Sequence, residues 1–327
     1  MSTNVLAPIV GIGEVLWDLL PAGPRLGGTT ANFAILSARL GNRAALVSRI
    51  GQDPLGDQAL QQLHAITDGS PFDLSPLQRS SALPTGTVSV ALDPQGRPQY
   101  QIHAPVAWDE ITLTPDLLTL AARAAVIGYG TLAQRADPSA STIRAFLDAA
   151  SPACVRVCDV NLRMPFCSPQ TARWSLQHAT VLKISDEELP QLSLLLVDAG
   201  LLPAPLPHPP AHDNDAALTS WATHAAHTLL AAAPHCQLIA ITLGPHGSLL
   251  VNRNGHHRHP GFPITVADTI GAGDAFTAGL THAYLRDSSL EHISTVANLC
   301  GSFVASQQGA TPEFPADLLA RLQSTLA

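Results

Sequence analysis

Among its 327 residues the chain has a single lysine, Lys183, and that scarcity excludes two phosphate-handling classes. A Walker-type loop needs Gly-Lys-Ser/Thr, and a protein kinase needs a strand lysine inside its own signature set; Lys183 sits in neither context. No run approaches the ~18 apolar residues of a membrane span, and no basic stretch followed by an apolar core opens the sequence. A cytoplasmic protein that does not enter a membrane is therefore expected. Cysteine is also sparse: Cys154, Cys158, Cys167, Cys236 and Cys300 are odd in number and lack Cys-x-x-Cys spacing, so they read as reduced thiols rather than a disulfide framework. A formal charge of −8 gives no long-range attraction for nucleic acid or an anionic membrane. Any polyphosphate would have to be held by local N–H groups and a metal ion. Aromatic residues make up only 5%, so Ala, Leu and Val must fill the large core that 46% hydrophobic content allows.

What is present is most informative at Asp268-Thr269-Ile270-Gly271-Ala272-Gly273-Asp274. Apolar residues recur afterwards at Phe276, Leu280, Ala283 and Tyr284, which is helical spacing, and Pro263-Ile264-Thr265-Val266 beforehand reads as a β-type run. Gly271 and Gly273 would then sit at a strand-to-helix junction, where N–H groups and the helix dipole can hold an anion. Asp274, in the first turn, could accept a proton from a hydroxyl attacking a bound phosphate. The competing reading is a Gly-rich turn followed by an Asp that merely favours a helix start.

Elsewhere short apolar strands alternate with helices: Ile9 to Leu16, Ala44 to Ile50, Ala125 to Tyr129, Val155 to Val160, Thr180 to Ile184 and Leu238 to Leu243. Such alternation predicts an α/β fold with a mostly parallel central sheet covered on both faces and ligands at the carboxyl ends of its strands. Between Gly86 and Ile102 the pattern is that of an antiparallel hairpin with a turn at Asp93-Pro94-Gln95-Gly96. No internal repeat or linker is evident, so one domain over 1–327 is expected. His256, His257 and His259 flank the hairpin turn Asn252-Arg253-Asn254-Gly255 and read as a solvated loop rather than a metal site. Pro203, Pro205, Pro207, Pro209 and Pro210 mark an exposed loop with no legible function.

Two segments resemble signatures of the ribokinase-like (PfkB) carbohydrate kinases. One is the Asp268–Asp274 segment; the other is Gly27-Gly28-Thr29-Thr30-Ala31-Asn32, which runs into the helical pattern Phe33, Leu36, Leu40. Their order and separation also match, and the similarity extends from Gly11 to about Pro315. It implies a ribokinase-like three-layer fold with a small β lid over the sugar, formed from about 14–26 and 86–108, where Trp108 and His103 either close the pocket or pack in the core. It implies that Asp274 is the catalytic base, that Gly271, Ala272 and Gly273 form the anion hole, and that Asp18, Gly28 and Asn32 bind sugar. Asp159-Val160-Asn161-Leu162-Arg163 resembles a stretch in fructokinases and ketodeoxygluconate kinases, with Arg163 reaching phosphoryl group or sugar; locally it could equally be a strand-end turn with a surface Arg.

The same resemblance implies an ATP side made of Lys183, Ser185, Thr242, Gly244, Gly247, Gly271, Gly273 and Asn298. Lys183-Ile184-Ser185-Asp186-Glu187-Glu188 is similar to the family's Lys-x-Asn-x-x-Glu, with Ser185 where asparagine is usual. Glu188 would act on Mg²⁺ through water; Ser185 and Glu188 also make a capping box in their own right, and both readings can hold. Backbone carbonyls of Asp268 and Ile270 and of the Gly309 loop would bind a monovalent cation, K⁺, by analogy.

The implied activity is ATP-dependent phosphorylation of a monosaccharide, with bacterial fructokinases the most similar. Ketodeoxygluconate kinase is the alternative; it would want a further cation for the substrate carboxylate, and only Arg25 and Arg97 are near. A dinucleotide oxidoreductase, suggested by Gly11-x-Gly13, lacks the third glycine, whose place Leu16 takes. A non-catalytic sugar-binding regulator would have lost Asp274 or the Gly-Ala-Gly turn. Lid edges could pair two subunits or stay apart, so a homodimer is left open.

Overall fold

Val126-Ile127-Gly128-Tyr129-Gly130 is buried at every position, as a strand covered on both faces must be. The same holds for Ile9–Ile12 and Ala44–Val47. The computed structural model describes residues 7–20, 23–92 and 98–326, and the chain forms two compact units. The first comprises Met1–Gly128 with Ala133–Cys154, the second Tyr129–Leu132 with Val155–Ala327. In chain order the first carries β1 (Ile9–Ile12), β2 (Leu16–Leu20), β3 (Gly23–Gly27), α1 (Thr29–Arg39), β4 (Ala44–Val47), β5 (Arg49–Gly51), α2 (Pro54–Thr67), β6 (Phe72–Asp73), β7 (Gln78–Ser80), β8 (Gly86–Leu92), β9 (Pro98–Ile102) and α3 (Pro115–Arg123). It ends with the start of β10 (Val126–Gly130) and with α4 (Asp137–Asp148). The second continues with β11 (Val155–Asp159), α5 (Pro169–His178), β12 (Val181–Ser185), α6 (Leu189–Asp198), α7 (Asp215–Ala232), β13 (Leu238–Thr242), β14 (Ser248–Asn252), β15 (Gly255–His259), α8 (Ala272–Tyr284), α9 (Leu290–Ala305) and α10 (Ala316–Leu326).

The main sheet has nine strands in the order β15-β14-β13-β12-β11-β10-β1-β4-β6. The β1–β10, β1–β4, β4–β6, β11–β12 and β12–β13 ladders are parallel, and the β13–β14 and β14–β15 pairs are antiparallel. This is the expected α/β fold with a mostly parallel central sheet. β14 and β15 form the hairpin read around Asn252–Gly255. A second sheet, β3-β2-β8-β9, contains the antiparallel hairpin read between Gly86 and Ile102; its turn at 93–96 lies outside the described residues, as does Arg97. No described helix is long and apolar enough to cross a membrane.

Three expectations are corrected. The run Ile9 to Leu16 is not one strand: β1 stops at Ile12 and β2 starts at Leu16. The break exists because Glu14 turns to the start of α1, where its Oε1 accepts the Thr29 N–H (3.0 Å) and its carbonyl accepts from Thr30 Oγ1 (3.3 Å). Ala44 to Ile50 divides likewise at Ser48, into β4 and β5. Pro263-Ile264-Thr265-Val266 forms no strand at all. Pro260 and Pro263 lack ladder donors, and the segment runs exposed, Val266 being 59% accessible. The helix after it begins as read.

Two core features also bear on the reading. Trp108 is completely buried, with the Arg135 guanidinium 3.9 Å from its ring and Arg135 paired to Asp109 at 2.7 Å; it is a packing residue. All five cysteines are buried and form no disulfide.

Candidate active site

Within the first unit, the expected sugar-binding residues gather at the start of α1. Gly28 precedes the helix at φ 117°, and a Cβ there would lie 2.3 Å from the Glu14 carbonyl oxygen. No other residue would fit between Glu14 and the helix without displacing backbone. Asn32 is buried and its N–H donates to Gly28 O (2.9 Å). Asp18 stands on β2 opposite Arg25 on β3. Its Oδ2 would be 2.8 Å from a Cβ on Gly27, so a side chain at Gly27 would collide with the carboxylate. Glu14, which the sequence reading passed over, is 2% exposed; its only sequence signal is an acid inside an apolar run.

Within the second unit, α8 starts as the sequence reading requires. Gly271 occupies the left-handed region (φ 79°), where a Cβ would meet Ala310 O at 2.4 Å. Asp268 fastens the approach to it: Oδ1 accepts from Ile270 N (3.0 Å) and Oδ2 from Gly309 N (3.3 Å). Asp268, Ile270 and Gly309, read together as a cation loop, are thus brought together. Ala272 N–H donates to Thr269 O (3.3 Å), which leaves the following N–H groups, Gly273 among them, as the donors a helix start could offer an anion. Asp274 lies half-buried in the first turn.

Below this turn is an arrangement that sequence reasoning did not assemble. Lys183 Nζ donates to Asp159 Oδ1 (3.1 Å), and Thr277 Oγ1 donates to Asp159 Oδ2 (2.9 Å). A Cβ on Gly273 would stand 3.1 Å from Lys183 Nζ, so the ammonium lies directly against the first turn of α8. Burial by itself would lower the Lys183 pKa, but Asp159, Glu188 and Asp274 together outweigh it and hold it above the ordinary value. Burial pushes the Asp159 carboxyl up, with Glu188 adding to it, while Lys183 and Thr277 pull it back. Lys183 is therefore a buried charge beneath the turn, 7% exposed, rather than a mobile surface cation.

Glu188 is equally committed. Oε1 accepts from Leu162 N (2.5 Å), and Oε2 accepts from Ser185 N (2.9 Å) and Ser185 Oγ (2.8 Å), while Glu188 N returns a bond to Ser185 Oγ (3.3 Å). The reciprocal Ser185–Glu188 exchange is present, and it also ties the end of β12 to the loop after β11. In that loop Asn161 takes a positive φ of 36°, which Asn tolerates better than most residues. A carboxylate has about four lone-pair positions, so one that accepts three bonds still fits a metal-bound water. Arg163 is exposed, and its Nη1 donates to its neighbour Leu162 O (3.0 Å).

On the expected nucleotide side, Thr242 ends β13 and Gly244 to Gly247 form a tight turn, with Gly247 N donating to Gly244 O (3.2 Å). Asn298 is buried on α9, where Nδ2 donates to Ser248 Oγ (2.7 Å) and Ser294 O (2.8 Å). That amide group anchors α9 to β14.

A family model described as pfkB family carbohydrate kinase matches residues 23–317. A protein named probable fructokinase-3 from Arabidopsis thaliana is 28% identical over 344 residues, spanning 97% of this chain and 91% of its own. Among solved structures, a fructokinase with bound ATP from Xylella fastidiosa superposes with a TM-score of 0.76 at 21% identity, covering 98% of this chain and 99% of its own. A fructokinase from Vibrio cholerae O395, determined with fructose, ADP and calcium, gives a TM-score of 0.73 at 23% identity, covering 98% and 99%.

Proposed function

We propose that this chain, which belongs to the pfkB family of carbohydrate kinases, transfers the γ-phosphate of ATP to the 6-hydroxyl of fructose. The observation that carries the chemistry is the start of α8, where Asp274 stands in the first turn over the buried Lys183 and beside the Gly273 backbone. Full-length similarity to a plant fructokinase supports the sugar. Asp18 and Asn32 are the proposed ligands of its hydroxyls, with Gly28 letting it approach the backbone.

In this reading Asp274 takes the proton of the attacking hydroxyl. The sugar oxygen forms the new bond to phosphorus, the bond between the γ-phosphorus and the β,γ-bridging oxygen breaks, and ADP leaves with the electron pair. Donors at the start of α8 and the Arg163 guanidinium receive charge on the transferred group, and Lys183 adds a fixed positive potential from below. Asn298 borders the adenine, while Thr242, Gly244 and Gly247 let the phosphates approach. Glu188 would hold Mg²⁺ through water, which when bound neutralises phosphate charge, with Lys183 and Ser185 on the ATP side. The loop of Asp268, Ile270 and Gly309 would hold K⁺ by backbone carbonyls. The strands of the β3-β2-β8-β9 sheet act as the lid, and a homodimer through its edges β3 or β9 is the oligomer this reading allows, to be decided by sedimentation. Buried thiols outside any disulfide suit a cytoplasmic enzyme.

Ketodeoxygluconate kinase is the second reading, favoured by Arg25, which stands opposite Asp18 and could answer a carboxylate. The deciding experiment measures ATP consumption with fructose, ketodeoxygluconate, ribose, adenosine and tagatose 6-phosphate. Fructose should give the highest kcat/KM; preference for the sugar acid, abolished by Arg25→Ala, would transfer the chain to the second reading.

A further inference from the structure

The proline-rich segment after α6 is fastened at three places. Leu206 is buried and its N–H donates to Ser193 Oγ (2.9 Å) on α6, and the Pro207 carbonyl accepts from Trp221 Nε1 (2.9 Å) on α7. The third attachment is His212, whose Nε2 lies 2.6 Å from Asp186 Oδ2. Asp186 is 3% exposed, and an imidazole N–H donating to a buried carboxylate makes a strong, charge-assisted bond. Asp186 is itself fixed at the sheet end: its N–H donates to Thr242 O (3.0 Å) and its Oδ1 accepts from Glu187 N (3.0 Å).

The His212 ring also stacks on the ring of His246, with centroids 4.9 Å apart and planes 13° from parallel. His246 belongs to the turn between β13 and β14, and its N–H donates to Leu243 O (3.0 Å). A closed circuit results. It passes from Asp186 after β12 to His212, across the stack to His246, and back through Leu243 and Thr242 to Asp186. The turn it embraces has two glycines at positive φ, Gly244 (55°) and Gly247 (83°), and such a turn has many conformations to lose when a ligand orders it. Gly247 is held from one side, since a Cβ there would be 2.3 Å from Gly261 N. His246 is held from the other by the imidazole stack.

We propose that His212 is a positioning residue for the nucleotide, bracing the Gly244–Gly247 turn through His246 and Asp186 before a nucleoside triphosphate arrives. The proline-rich segment then serves as the arm that delivers this brace. The proposal rests on the reading of that turn as the ATP side of the kinase. Bracing in advance removes ordering cost from binding, so its loss shows in nucleotide affinity and not in sugar affinity.

The test is calorimetric titration with a non-hydrolysable ATP analogue against wild type, His212→Ala, His246→Ala, the double variant, and His212→Gln, which keeps a donor for Asp186 but has no ring to stack. Each single change should weaken analogue binding about five- to tenfold, the double change no more than about the larger single one, and the KM for sugar should stay at its wild-type value. Because His212→Gln retains the bond to Asp186, its melting temperature should be that of wild type while its affinity still falls. Wild-type affinity in His212→Ala and His212→Gln, additive effects in the double variant, or a parallel rise in the sugar KM would each overturn the role of His212. Failure of the wild-type chain to bind the analogue would instead overturn the kinase reading beneath it.

Discussion

Lys183 and Asp159 form a buried ion pair, 3.1 Å apart, with side chains only 9% and 6% exposed, and the pair underlies the first turn of α8. Removing one partner of such a pair strands the other charge away from water, at a cost of about 3–5 kcal/mol. Lys183→Met should therefore lower the unfolding free energy by roughly 3 kcal/mol. Adding Asp159→Asn, which still accepts from Thr277, should recover at least half of that loss. Urea denaturation of the three proteins decides it; a single variant as stable as wild type would show the pair to be dispensable.

Asp274→Ala should reduce kcat by about 10²–10⁴-fold with ATP affinity nearly unchanged, the usual contribution of a positioned general base. Steady-state kinetics with fructose measure this, and a variant that keeps most of its turnover would remove Asp274 from the proton transfer.

Gly271→Ala places a methyl 2.4 Å from Ala310 O on a backbone with φ 79°. Either the turn or the Ala310 loop must move, so turnover should collapse while far-ultraviolet circular dichroism stays native. At Gly273 the obstacle is Lys183 Nζ at 3.1 Å, and Gly273→Val should abolish turnover by blocking backbone approach. Normal turnover in a folded Gly273→Val protein would disprove an anion hole there.

His282 supplies a pH dependence. Burial, with Arg286 adding to it, brings its pKa from 6.5 down to about 4. The unfolded chain takes up a proton near pH 6.5 that the folded chain refuses until about pH 4, so stability is lost as pH falls across that interval. The loss amounts to roughly 3 kcal/mol at most. Denaturation at pH 7 and pH 4.5 should show a smaller difference for His282→Gln than for wild type.

On the sugar side, Asp18→Asn should impair fructose use far more than ATP binding. Asp18 stands opposite Arg25 across β2 and β3, so the two charges offset each other in part. An uncharged ketohexose suits that neutralised pair better than an anion does. Comparing kcat/KM for fructose with analogue affinity separates the two effects.

The parallel strands and the start of α8 were legible because each is a local pattern: an uninterrupted apolar run, or two glycines ahead of a helical period. The partners of Lys183 were not. Asp159 accepts from Lys183, 24 residues away, and from Thr277, 118 residues away, and only the packing of α8 over the ends of β11 and β12 joins the three. The split of Ile9 to Leu16 depends on Glu14 capping α1 fifteen residues later, a tertiary demand that overrides strand propensity. The false strand at Pro263–Val266 shows the converse: β-branched residues were present, but Pro260 and Pro263 deprive the segment of ladder donors. His212 gave no signal beyond standing at the end of a run of prolines.

The burial of the sole lysine also makes the molecule an unusual target for reagents. An acylating or reductively alkylating agent acting on the folded protein finds no ε-amine at the surface, because the one that exists is sealed under α8 with Asp159. Reaction at Lys183 must wait for that helix to lift, so the rate at which its amine is labelled is a clock for the opening of this part of the core.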